Sequence, residues 1–192
     1  MIKPNPNYLC DSVQSLLFIV DIQERLTLAM PGKVIKRVLK NTSLLAQCAN
    51  LLDIPIIVSE QNSKSLGGTE RSILPHIQIK NSKYIFNKTT FSVVNDVNIM
   101  AAIEMKNKPQ IILVGMEAHI CILQTAVDLM VKGYTVFVAE DSICSRSLEN
   151  YQNALSRIKQ LGITTTCAES IIFEWLGNSQ NPKFKEIQAI IK

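Results

Sequence analysis

Short apolar runs with β-branched character, separated by longer segments of helical periodicity, constrain the fold of this chain more than any other feature. Six such runs read as strands: SLLFIVD (15–21), PIIVSE (55–60), KYIFNK (83–88), QIILVG (110–115), YTVFVAED (134–141) and ITTTCA (163–168). Most of them are apolar at successive positions, which is typical of strands in a parallel sheet that is covered on both faces.

Apolar residues at helical spacing between these runs predict the covering helices. Three stripes comprise Val34, Val38, Leu45, Ala49 and Leu52; Ile122, Ala126, Leu129 and Met130; and Tyr151, Ala154, Leu155, Ile158 and Leu161. Gly133 and Gly162 follow the second and third stripes, where a left-handed C-cap is expected. The repeated β-α-β order predicts an α/β fold, a three-layer α-β-α sandwich around a six-stranded, mostly parallel, Rossmann-like sheet. Region 61–82 has no clear period, and its SLGGT segment is interpreted as a loop able to border a pocket.

Length and charge limit the class of protein. A chain of 192 residues predicts one domain, 1–192, with a sizeable core. The net charge of +4 is spread along the chain, with no basic run interleaved with aromatic residues, so the composition gives nucleic-acid binding no support. The apolar runs fall well short of the ~20 residues that span a bilayer, and the N-terminal stretch resembles no targeting peptide. We expect a cytoplasmic protein with no membrane partner.

The cysteine and histidine patterns predict neither disulfides nor bound metal. The five cysteines are odd in number, far apart and without a CxxC pair, which favours a reducing compartment. The two histidines, His76 and His119, show no HxH or HExxH spacing. The chain also lacks GxGxxG and GxxxxGK[ST] motifs. We therefore expect no metal and no cofactor.

Three reactive side chains follow strands of the predicted sheet. Asp21 ends the first, Lys88 ends the third, and Cys121 follows the fourth across a short turn. In open α/β sheets ligands bind at the carboxyl ends of the strands, so the three are expected to converge. Each alone has an ordinary structural explanation: a capping acid, a solvated lysine and a packed cysteine. Together they offer a nucleophile, a proton acceptor and a cation.

The position of Cys121 leads to an expectation about its reactivity. A helix start and a nearby ammonium lower a thiol pKa below its usual ~8.5, so Cys121 is expected to alkylate faster than the other four cysteines. His119 lies two residues before Cys121 and faces another way, which favours a pocket-wall or surface role. Cys144, after the fifth strand, is expected to border the same pocket.

Several motifs together resemble the isochorismatase-like cysteine hydrolases, and within them the isochorismatase-domain-containing subgroup. The matching pieces are FIVDIQERL, VSEQNSKSLGGT, FNKTTFSV, GMEAHICILQTAVDLMVKGYTVFVAEDSICSRS and NPKFKEIQAIIK. The resemblance implies that Cys121 attacks a carbonyl, that Asp21 is general base and acid, and that Lys88 assists both. It also implies a cis peptide at Met116–Glu117 that helps form an oxyanion hole. The substrate-pocket candidates are Gln23, Gln61, Phe91 and His119.

Two departures from the family refine the expected activity. SEQNSKS lacks the histidines of the nicotinamidase metal set, so a metal-independent reaction is expected. Cys121 is present, although vinyl-ether hydrolysis of the isochorismatase type does not need it, so a small amide or ureide substrate is favoured. The alternatives are vinyl-ether hydrolysis through Asp21 and Lys88, or a catalytically silent binding module. Relatives are commonly homo-oligomers, so we expect a dimer or tetramer in which KFKEIQAIIK docks on a neighbouring subunit.

Overall fold

Six parallel strands form the centre of the molecule. The computed structural model describes residues 8–81 and 84–192. The strands are β1 (Ser15–Val20), β2 (Ile56–Gln61), β3 (Ile85–Lys88), β4 (Gln110–Met116), β5 (Thr135–Cys144) and β6 (Thr164–Thr166). They are ordered β3-β2-β1-β4-β5-β6, and each adjacent pair is parallel. The predicted six-stranded sheet is confirmed, while Lys83, at the start of the third predicted strand, lies outside the described residues.

Helices cover both faces of the sheet. They are α1 (Glu24–Leu28), α2 (Gly32–Leu51), α3 (Ser63–Leu66), α4 (Leu74–Asn81), α5 (Val97–Lys106), α6 (Leu123–Val131), α7 (Leu148–Gln160), α8 (Ala168–Leu176) and α9 (Phe184–Ile191). The three apolar stripes lie mainly on α2, α6 and α7. Helices α3 and α4 fall in the non-periodic region 61–82, because α3 has only four residues and the sequence of α4 carries no apolar stripe.

Alternate residues of β1 feed the two hydrophobic cores. Leu17 and Ile19 face the core formed with α2, α8 and α9. Leu16, Phe18 and Val20 face the core formed with α5, α6 and α7. All six residues of β1 are buried, so the strand is central in the sheet, and the residue after it enters the carboxyl edge between two covered faces. Among the described residues, no helix is long and apolar enough to cross a membrane.

The C-terminal segment packs on its own chain. Ile187 of α9 is fully buried in the core shared with α2, and the Phe184 ring lies 6.4 Å from the Phe173 ring of α8. The apolar face of α9 therefore covers the edge of the core beside α2 and α8, while the expectation that this segment docks on a neighbouring subunit stays a prediction.

Gly115 lets β4 approach β1 closely at the carboxyl edge. It pairs with Val20 and has φ +122°, and a Cβ atom there would lie 1.9 Å from the Val20 carbonyl oxygen. Any other residue would force the two strands apart at this point. The turn that follows β4 is thereby kept next to the residue that follows β1, which is Asp21.

Candidate active site

The end of β2 fixes the Asp21 carboxylate. Asp21 follows β1 in a left-handed conformation, φ 53°, and its N–H donates to the Ser59 carbonyl at 3.0 Å. The Ser59 hydroxyl donates to Asp21 Oδ1 at 2.7 Å, and both side chains are inaccessible to solvent. One carboxylate oxygen is therefore held by β2, which leaves Oδ2 for other partners.

Lys88 is a buried cation at the end of β3. Its Nζ donates to Asp21 Oδ2 at 2.8 Å and to Gln61 Oε1 at 2.6 Å. The carbonyl oxygens of Thr90 and Phe91 lie at 3.0 and 3.3 Å. Only 1% of the residue is exposed, so the carboxylate and these dipoles replace its hydration. Lys88 is therefore not a solvated surface lysine, which was its ordinary structural explanation from the sequence.

Cys121 lies beside Lys88 in a turn of π-helix. The turn spans Ala118–Ile122 and leads directly into α6, so Cys121 precedes the regular helix rather than opening it. Its Sγ is 3.8 Å from Lys88 Nζ, and 6% of the residue is exposed. The structure thus brings together the three side chains that the sequence placed at separate strand ends.

The pKa of the Cys121 thiol is raised, to about 12, and the expectation of a lowered value is wrong. Burial is the main cause, since it penalises the thiolate, and the Asp21 carboxylate adds both repulsion and a hydrogen bond from the S–H group. The Lys88 ammonium lowers the pKa but only partly offsets these effects. At rest Cys121 is therefore a thiol whose proton is directed at the Asp21 carboxylate.

We expect alkylation of Cys121 by iodoacetamide to accelerate about tenfold per pH unit between pH 7 and pH 9, because the thiolate fraction grows by that factor below the pKa. Mass mapping of peptides after timed quenching measures the rate. Cys48, which is fully buried on α2, serves as an internal control for folding and should stay unlabelled. A rate that levels off below pH 8 would contradict the raised pKa.

The turn before Cys121 contains the cis peptide at the position that the resemblance implies, between Met116 and Glu117. The Glu117 carboxylate is 6% exposed and accepts from Arg146 Nε at 2.8 Å. His119 Nδ1 lies 3.0 Å from the Ser145 hydroxyl and 3.7 Å from Glu117 Oε2. His119 and Arg146 therefore tie this turn to the loop after β5, and the His119 ring is directed at that loop.

The remaining pocket candidates have different surroundings. Gln23 is fully buried, and its amide binds the backbone of the segment 61–67. Gln61 binds Lys88, and Phe91 is 52% exposed while its carbonyl accepts from Lys88. Cys144 is fully buried and lines a cavity of about 190 Å³ between α2 and α7, whose lining residues do not include the three reactive side chains.

The structure adds partners that sequence reasoning missed. Ser59 is the first polar residue after the apolar half of β2, and that change in the pattern was a usable signal for a group facing the carboxyl edge. The Thr90 and Phe91 carbonyls are backbone groups, so the residue types at these positions do not predict their contacts with Lys88. Within the described ranges, no group of three or more His, Cys, Asp or Glu side chains lies close enough to hold a metal ion.

Known proteins are similar to this chain in sequence and in fold. The isochorismatase domain matches residues 15–170. Isochorismatase domain-containing protein 1 of Salmo salar is 38% identical over 178 residues, which are 93% of this chain but only 61% of that protein. The MAR1 ribonuclease structure from Caenorhabditis elegans is 33% identical, with a TM-score of 0.87 over 95% of this chain and 92% of that one.

A more distant structure extends the likeness in fold alone. The YcaC gene product of Escherichia coli, described as an octameric hydrolase of unknown specificity, is 16% identical with a TM-score of 0.83 over 96% of each chain. The domain match covers most of this chain, and the Salmo salar relative is similar over nearly all of it. The chain belongs to the isochorismatase domain family.

Proposed function

We propose that the protein is a metal-independent hydrolase of a small amide or ureide, with Cys121 as nucleophile and a thioester intermediate. The observation that carries the proposal is the position of Lys88 Nζ, 2.8 Å from Asp21 Oδ2 and 3.8 Å from Cys121 Sγ in a buried site. A carboxylate, a cation and a thiol in mutual contact supply the groups that acyl transfer requires.

The first half-reaction forms the acyl-enzyme. Because the thiol pKa is raised, its proton passes to the Asp21 carboxylate as Sγ attacks the carbonyl carbon, rather than before the attack. The Lys88 ammonium stabilises the negative charge that develops on sulfur and oxygen. Asp21 then returns the proton to the leaving nitrogen, the C–N bond breaks, and an amine or ammonia departs.

The second half-reaction releases the acid. Water attacks the thioester carbonyl while Asp21 accepts its proton, and collapse of the intermediate breaks the C–S bond. The proton returns to the departing sulfur, which restores the thiol. The hydrogen bond from Ser59 to Oδ1 keeps the carboxylate in one orientation through both halves, with Oδ2 toward Lys88.

The cis turn is the proposed site of oxyanion stabilisation. Met116 and Glu117 lie just before the π-helical turn that carries Cys121, and Met116 is fully buried whereas the Glu117 side chain is anchored by Arg146. A turn fixed in this way presents its backbone groups without rearrangement during the reaction, which is the property an oxyanion site needs.

A substrate panel tests the proposal. The wild-type protein is dialysed against a chelator and assayed by liquid chromatography and mass spectrometry with small amides, ureides, isochorismate and an RNA oligonucleotide. We expect turnover of an amide or ureide that persists after dialysis. Activity that disappears on dialysis and returns with zinc or iron would overturn metal independence, and turnover of isochorismate or RNA alone would overturn the substrate class.

We also infer that the protein forms a homo-oligomer. Val97 and Met105 of α5 are 79% and 73% exposed, and with the exposed Ala101 they lie on one helical face. Exposed apolar stripes are typical of interaction surfaces, and the YcaC fold neighbour is octameric. Light scattering at micromolar concentration should give a mass of at least twice 21.5 kDa, whereas a monomer under all conditions would contradict this inference.

A further inference from the structure

We propose that Gln61 is a positioning residue for Lys88, and that the buried Gln23 acts through it by fixing its backbone. The inference rests on the proposed function only in that Lys88 and Cys121 belong to the reactive site. It assigns to two glutamines, first considered as pocket walls, the task of setting where the ammonium lies relative to the thiol.

The side-chain amide of Gln23 forms hydrogen bonds with both backbone groups of Gln61. The Gln61 N–H donates to Gln23 Oε1 at 2.7 Å, and Gln23 Nε2 donates to the Gln61 carbonyl at 3.1 Å. The same amide nitrogen donates to the Gly67 carbonyl at 2.7 Å, so the segment beyond β2 is also fastened. Gln23 is fully buried, which limits competition from solvent for these bonds, and the main chain of Gln61 is held at its N–H and carbonyl groups.

Both polar atoms of the Gln61 side-chain amide bind β3 or the loop that follows it. Its Oε1 accepts from Lys88 Nζ at 2.6 Å, the shortest of the five Lys88 contacts described above. Its Nε2 donates to the Thr89 carbonyl at 2.9 Å. Thr89 precedes the two residues whose carbonyls also accept from Lys88, so Gln61 supports the ammonium directly and through the loop.

Removing Gln61 should draw the ammonium away from the thiol. Without Gln61 the ammonium keeps its 2.8 Å bond to the Asp21 carboxylate but loses its 2.6 Å bond to the amide oxygen, and the loop with the Thr90 and Phe91 carbonyls is no longer tied by Gln61 Nε2. The charged carboxylate then sets the position of the ammonium, so the 3.8 Å approach to Cys121 Sγ, the longest of the contacts, is the one that weakens. The thiolate then loses part of its stabilisation.

The test is Gln61→Met, which keeps side-chain length and removes both polar atoms. In the ligand-free protein at pH 8.5, alkylation of Cys121 by iodoacetamide should slow about fivefold or more, in the direction set by Lys88→Met. The matched control is Gln110→Met. Gln110 is a buried glutamine whose amide also binds backbone, but it lies at the opposite, amino end of the sheet. Its replacement should leave the Cys121 rate unchanged.

Gln23→Met tests the second step of the proposal. Alone it should slow alkylation in the same direction, and in a Gln61→Met background it should add nothing, because its effect passes through Gln61. Additive effects in this double-mutant cycle would overturn the role of Gln23. Thermal unfolding of each variant confirms that rates are measured on folded protein.

A second readout needs no reactive thiol. The side-chain ammonium of Lys88, labelled with ¹⁵N, should give an NMR signal protected from exchange in the wild type and in Gln110→Met, and lost or strongly weakened in Gln61→Met. If Gln61→Met changes neither this signal nor the alkylation rate while Lys88→Met slows alkylation, the inference is wrong and the reactive site stands. If no amide or ureide is hydrolysed but Gln61→Met still gives both effects, the proposed function is wrong and the inference stands.

Discussion

Cys121→Ala is expected to reduce hydrolysis of the proposed amide or ureide substrate by roughly 10⁴-fold or more. In the proposed reaction no acyl-enzyme forms without the sulfur, and Asp21 and Lys88 have no nucleophile to activate. Initial rates with a substrate from the panel, measured at saturating concentration, give the comparison. The protein should stay folded, since replacing a small buried thiol by a methyl group costs about 1 kcal/mol.

Two further variants serve as a control and as a test of the proton acceptor. Cys48→Ala removes another fully buried thiol, on α2 and away from the site, and should leave the rate unchanged. Asp21→Asn should suppress acylation with little effect on binding, because no proton acceptor remains for the thiol. Should Cys121→Ala retain activity while Asp21→Asn loses it, the thioester route is wrong and vinyl-ether hydrolysis takes its place.

The fold follows from sequence because its signals are local and repeated. A strand such as β1, buried at every position, is apolar at nearly every position, and α2 is long enough to show a stripe over 20 residues. Helices α3 and α4 were not predicted, because α3 has only four residues and the sequence of α4 carries no apolar stripe. The apolar residues of α9 are visible in the sequence, but the sequence does not say which surface they cover.

The candidate active site could be predicted only in part from the sequence. Residue type and strand topology place Asp21, Lys88 and Cys121 at one edge, since parallel strands end together. The direction of the Cys121 pKa was missed because it depends on burial and on the Asp21 carboxylate, which are properties of packing and distance rather than of position along the chain. The amide–backbone contacts of Gln23 were hidden for the same reason, because a glutamine two residues after a strand has no characteristic partner.

Lys88→Met is expected to lower the free energy of unfolding by about 3–5 kcal/mol, the largest stability effect we expect from a polar substitution in this chain. The side chains of Lys88 and Asp21 are both inaccessible to solvent, and their charges lie 2.8 Å apart. Removing the ammonium leaves the Asp21 carboxylate buried, with the neutral Ser59 hydroxyl and Cys121 thiol as its remaining side-chain hydrogen-bond donors in the described contacts. Urea unfolding at pH 7 and a single protein concentration measures the change, since an oligomer's stability depends on concentration.

The double variant distinguishes the loss of the ion pair from the cost of leaving one buried charge without its partner. Asp21→Asn/Lys88→Met carries neither charge of this buried pair, so it should be more stable than Lys88→Met alone, although it keeps no activity. Lys183→Met is the matched control: Lys183 pairs with Glu186 at 3.1 Å, but the two side chains are 44% and 52% exposed, so its loss should cost less than about 1 kcal/mol. If Lys88→Met costs no more than Lys183→Met, or if the double variant is less stable than both single variants, the Asp21 carboxylate does not depend on Lys88 for compensation. The ammonium would then serve the chemistry of the site without stabilising its ground state.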